Sequence, residues 1–109
     1  MKTVGVRVSD DKLAERINKD CADAIHEFGQ SIQMIITAEE CAELIKAISK
    51  FKRYKKRNSK EAYFKLIKEC VDVQIMLIQM FMVLDVDGTV DYIFEEKLDK
   101  LETRLNKRR

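Results

Sequence analysis

Residues 31–51 read SIQMIITAEECAELIKAISKF, and how this stretch folds decides the architecture. No proline or glycine interrupts it, and Ile32, Ile35, Ile36, Ile45 and Ile48 return at helical spacing. A helix is therefore expected from about Ser31 to Phe51. It carries an oddity, because Glu39, Glu40 and Glu43 sit inside an otherwise apolar run. At about 100° per residue, Glu39 and Glu43 project nearly along the direction of Ile32, Ile35 and Ile36, with Glu40 on the flank of that stripe. The spacing thus predicts carboxylates aimed along an apolar face.

Working outward, Val4, Val6 and Val8 alternate in an amino-terminal arm over about residues 1–9 that can be extended. Ser9 or Asp10 can cap a first helix running towards Phe28, and Gly29 supplies its stop. On the other side the basic segment KRYKKRNSK, residues 52–60, interrupts the central helix. Asn58 followed by Glu61 resembles a capping box and opens a third helix that reaches Leu84. DVDGT, residues 85–89, makes the next turn. From Val90 to Leu105, the residues Val90, Phe94, Leu98, Leu101 and Leu105 form one narrow stripe, with Glu95, Glu96, Lys100, Glu102 and Arg104 beside or opposite it. The expectation is one all-α domain over residues 1–109, a four-helix bundle.

Composition agrees. Of 109 residues 37% are charged and 46% apolar, with no proline, three glycines and a net charge of +2, a pattern that favours a helical protein over a disordered or all-β one. So even a balance gives no footprint for stable nucleic-acid binding. Cys21, Cys41 and Cys70 are odd in number and lie in helical apolar patterns, so they read as reduced thiols used in packing, in a cytoplasmic protein. The longest apolar stretch, Cys70 to Leu84, is shorter than the roughly 20 residues that span a bilayer, so no membrane partner is expected.

The third helix repeats the oddity of the second. Glu69 and Asp72, spaced i and i+3, share one side with Met76, Met80 and Val83. Like charges on inward faces repel and lose hydration, which calls for a positive partner. A hard divalent cation, Mg²⁺ or Mn²⁺, suits five carboxylates, and the histidine and cysteine spacing of a zinc site is missing. The plainer possibility is pairing with Lys46, Lys50, Lys65 or Lys68 along exposed helices.

The two acidic motifs, EECAE at Glu39 to Glu43 and ECVD at Glu69 to Asp72, resemble the EExxE…ExxD signature of the MazG-like, all-α nucleoside triphosphate pyrophosphohydrolases. HEFGQSIQMIITAEECAEL, residues 26–44, looks like the same region of small, phage-type members. The resemblance spans about residues 25–105 and implies metal-dependent hydrolysis of (deoxy)nucleoside triphosphates to the monophosphate and pyrophosphate. It implies Glu40, Glu43, Glu69 and Asp72 as metal ligands and Glu39 as the residue that orients or deprotonates water or helps hold a further Mg²⁺. Gln33, with Gln30 second, matches the position near the nucleotide. Lys68 and Cys70 depart from the residues relatives carry there, which bears on substrate preference. A triphosphate also needs cations, and two sources are visible: KFKRYKKR, residues 50–57, which includes Arg53, and the row Lys97, Lys100 and Arg104 on the last helix.

The third helix is apolar on nearly every side, so Met76, Met80 and Phe81 are expected to meet water in a lone chain. Family members are dimers or tetramers, and a homodimer or homotetramer is expected here. Two other readings compete. A di-iron bundle needs Glu-x-x-His pairs, and His26 is the single histidine, expected on a helix surface. A non-enzymatic helical interaction or regulatory module would use its carboxylates for interface salt bridges.

Overall fold

The computed structural model describes residues 10–53, 59–85 and 87–108. The expected extended arm and most of the basic loop lie outside these residues. The described chain is all-α: α1 (Asp11–Phe28), α2 (Gln30–Arg53), α3 (Lys60–Leu84) and α4 (Thr89–Arg108). None of these helices is long and apolar enough to cross a membrane.

Local chemistry sets the boundaries. Asp10 caps α1, its carboxylate accepting the amide of Lys12 at 2.9 Å. Gly29 ends it, its N–H donating to the Ile25 carbonyl, with φ of 89° and ψ of 151°, a combination open essentially to glycine alone. That one residue is the whole joint, since α2 starts at Gln30. The cap of α3 is Ser59, whose hydroxyl accepts the Ala62 amide at 3.1 Å. It falls one residue after the expected Asn58, so Glu61 sits one position early for a capping box. Asp85 serves two helices: its N–H bonds the Phe81 carbonyl at the end of α3, and its carboxylate accepts the Val90 amide at the start of α4. Asp87 and Gly88, both at positive φ, turn the chain between them.

Helices α2 and α3 form the most extensive contact, and α1 lies against both. α2 and α3 run antiparallel, as two contacts at opposite ends require. Phe51 meets the edge of Tyr63 at 5.2 Å between ring centres, and Gln33 donates to Gln79 at 2.6 Å. Between α1, α2 and α3 lies the small core: Cys21, Val73, Met76 and Ile78 among apolar residues, with Gln33, Thr37 and Gln79 buried beside them. Thr37 returns its hydroxyl to the Gln33 carbonyl, and Cys21 its thiol to the Ile75 carbonyl. Burial is the main cause that pushes the Cys21 thiol pKa up, so this cysteine packs as a neutral group. Cys41 is half-buried and Cys70 exposed, so the packing role expected of all three holds fully for Cys21 alone.

Two expectations change. The four helices are present, but α4 touches the three-helix layer only marginally, with Phe94 leaning on Phe81 at 6.4 Å. The apolar surplus of α3 also lies elsewhere. Met76 is buried and Met80 and Phe81 are half-buried, Phe81 beside Phe94, whereas Phe64, Ile67, Val71 and Ile75 face outward.

The Gln33–Gln79 bond is buried at both ends, which gives a stability test. Gln79→Leu strands the Gln33 amide N–H in the core and should destabilise the fold by about 1–3 kcal/mol. Adding Gln33→Leu should recover much of that loss, since the polar group and its orphaned Oε1 leave together. Urea unfolding at fixed protein concentration reads both, and equal stability of the single and double variants would contradict the assignment.

Candidate metal centre

The inward face of α2 consists of Gln33, Thr37, Glu40, Leu44 and Ala47, all buried or half-buried. The expected stripe is real, but in a single chain it faces out: Ile32, Ile35, Glu39 and Glu43 share an exposed face. Glu40, the flanking acid, is the one turned towards α3. The reason is that Gln33, not the isoleucines, bonds across to α3 and fixes the rotation of α2, with Thr37 buried one turn on along the same face. On α3 the face read from the sequence is the inward one, with Met76 buried and Glu69, Met80 and Val83 half-buried, while Asp72 stands at its exposed edge.

Antiparallel packing then brings Glu40 opposite Glu69 and Asp72. One carboxylate oxygen from each of the three lies within 4.8 Å of the others. The effect is legible on Glu40, whose pKa is raised first by partial desolvation and then by the charges of Asp72, Glu69, Glu43 and Glu39. All five acids of the two motifs thus belong to one field, although only three share a common point. Glu43 turns away towards Lys46, 3.8 Å off, the i,i+3 pairing expected of an exposed helix.

An all-oxygen donor set suits a hard cation such as Mg²⁺ or Mn²⁺, and three carboxylates leave coordination positions for water or phosphate oxygens. Zinc would ask for nitrogen or sulfur. The half-exposed site gives a ligand access from solvent.

The other expected residues are distributed unevenly. Gln33 stands two turns from Glu40 on the same face, but it is only 4% exposed and its amide nitrogen is spent on Gln79. Gln30 is exposed at the first position of α2. Arg53 ends α2 and folds its Nε back on the Ser49 carbonyl. Lys97, Lys100 and Arg104 are exposed on α4, the helix that barely meets the acid-bearing pair, so one chain does not gather them at the cluster. His26 is exposed, as expected. Gln79 was not singled out by the sequence reading. Its signal was an amide inside the apolar stretch Cys70–Leu84, where a polar group must find a buried partner.

No protein-family model matches this chain, and no curated protein or solved structure matches it significantly.

Mutual repulsion predicts a pH signature. Because native Glu40 holds its proton more tightly than the unfolded chain does, its contribution to stability declines as pH rises from the ordinary glutamate range through the raised native value. It is unfavourable above both. In metal-free buffer Glu40→Gln should therefore raise the melting temperature at pH 7, by an amount that shrinks as pH falls to about 4. Melting curves across that range check it, and a variant less stable than wild type at pH 7 would show Glu40 to be a structural ion-pair partner instead.

Proposed function

We propose that this protein is a metal-dependent nucleoside triphosphate pyrophosphohydrolase, using Mg²⁺ with Mn²⁺ as a substitute. The observation that carries the reading is the convergence of Glu40 with Glu69 and Asp72, from the two motifs that resemble the MazG-like signature. In this reading those three carboxylates hold the cation. When bound, the metal neutralises phosphate oxygens and lowers the pKa of a coordinated water. Water then cleaves the anhydride between the α and β phosphates, releasing monophosphate and pyrophosphate. Glu39, exposed one residue before Glu40, accepts the proton that water loses, and Glu43 stands one turn on to complete the field. No covalent nucleophile is needed, and Cys21, the buried thiol, is held neutral in the core.

A second reading, a non-enzymatic interaction module, draws on the exposed apolar side chains and on the Glu43–Lys46 pair. The two separate cleanly. The hydrolase reading expects pyrophosphate release from a panel of nucleoside triphosphates, lost on chelation, and loss of that release by at least a hundredfold, on the order of 2.7 kcal/mol, in Glu40→Gln, Glu69→Gln and Asp72→Asn. Mn²⁺ should also raise the melting temperature of wild type but not of these variants. Pyrophosphate release that persists in excess chelator excludes metal dependence, and no release with any triphosphate leaves the interaction module.

A further inference from the structure

The fourth helix is where the chain is least self-sufficient. Every described side chain from Asp91 to Lys107 is exposed, including the apolar Phe94, Leu98, Leu101 and Leu105, each at least 42% accessible. These four are spaced four, three and four residues apart, the alternation of a coiled-coil seam, so in heptad terms they occupy positions d, a, d and a. The outward positions between them carry Glu96, Asp99, Lys100 and Thr103. A strict two-in-seven stripe is the narrow seam of paired helices rather than the broader face a helix turns to a globular core.

The flanks say what covers it. Both e positions are acidic, Glu95 and Glu102, and both g positions are basic, Lys97 and Arg104. In a parallel pair of identical helices, a g residue faces the e residue five places on in the partner, which sets Lys97 against the partner's Glu102 twice, by symmetry. In an antiparallel pair g faces g and e faces e. Lys97 would then meet the partner's Arg104, and Glu95 the partner's Glu102, four repulsive contacts along the seam itself. Asp91, at the seam position before Phe94, lies in the first turn of α4, where the helix end favours a carboxylate.

We infer that α4 is a self-association element: it pairs in parallel with α4 of a second copy of this chain through Phe94, Leu98, Leu101 and Leu105, in a register selected by Lys97 and the partner's Glu102. This assigns Lys97 and Arg104 to the flanks of a seam rather than to a phosphate row, and it does not depend on the hydrolase reading. The seam is short for a free-standing coiled coil, so the dimer also uses the neighbouring exposed surface, beginning with Leu84 at the end of α3, 61% exposed. Parallel pairing suits this, because it brings the two three-helix layers to the same end of the seam.

The test is charge exchange in the full-length protein, with dimer dissociation followed by sedimentation and helix content by circular dichroism. Wild type should be dimeric at micromolar concentration. Lys97→Glu and Glu102→Lys should each weaken association roughly tenfold, and the double variant should restore it, with helix content unchanged throughout. Tighter association in Lys97→Glu would overturn the parallel arrangement, since that residue would then be meeting the partner's Arg104. A wild-type monomer, or a dimer indifferent to all three variants, would overturn self-association through this face and leave the stripe to another surface of this chain or to an unrelated partner.

Discussion

A single buried hydrogen bond, from the amide of Gln33 to the carbonyl of Gln79, holds the register of the α2–α3 pair on which everything else rests. Apolar side chains pack almost as well after a slip of one turn, because dispersion is not directional. Amides do not. A slip would leave two polar groups unpaired in a core of few residues, and that loss is large beside what so small a core contributes. The pair thus trades some stability for uniqueness, since Gln33 Oε1 is left without a partner even in the native arrangement. The same register sets Glu40 opposite Glu69 and Asp72, two turns further along.

The acids show the other side of that constraint. Nothing in their own chemistry favours their approach, and Glu40 feels every one of its four neighbours as a charge that opposes its ionisation. They are held together by packing beneath them, not by attraction between them. Folding does the work of bringing the acids together, and the repulsion stored there is what any ligand that neutralised the field would relieve. Partial exposure keeps the strain tolerable, because water still solvates Asp72 at the edge.

Much of this is legible in the sequence. Helix boundaries at Asp10, Gly29 and Asp85 follow from capping and turn chemistry that acts over two to four residues, and those positions are where the chain bends. The gathering of acids from α2 and α3 was legible because two motifs at matched spacing on two helices restrict each other. The rotation of α2 was not. A helical wheel ranks faces by hydrophobicity, so it favours the isoleucines; one buried polar residue, Gln33, outweighs them by finding a specific partner on α3. Hydropathy also assumes one core, and here the exposed isoleucines and the stripe of α4 show apolar surface that a single chain does not cover. Periodicity said that α4 was amphipathic, but nothing local said where it would dock.

The joint at Gly29 gives the fold a rotational phase. A helix advances about 100° per residue, and α1 and α2 are separated by one residue with no loop to absorb a change. The face that α1 offers to α3, with Cys21 at its centre, is therefore set by a count: eight residues from Cys21 to the glycine, and four more to Gln33. The exposed side chains between those three residues can vary widely as long as the number does not. Inserting or deleting one residue would turn Cys21 a quarter-revolution or more from the Ile75 carbonyl and swing Asp20 or Ala22 into the core, so the exposed positions between Cys21, Gly29 and Gln33 tolerate substitution far better than any change in length.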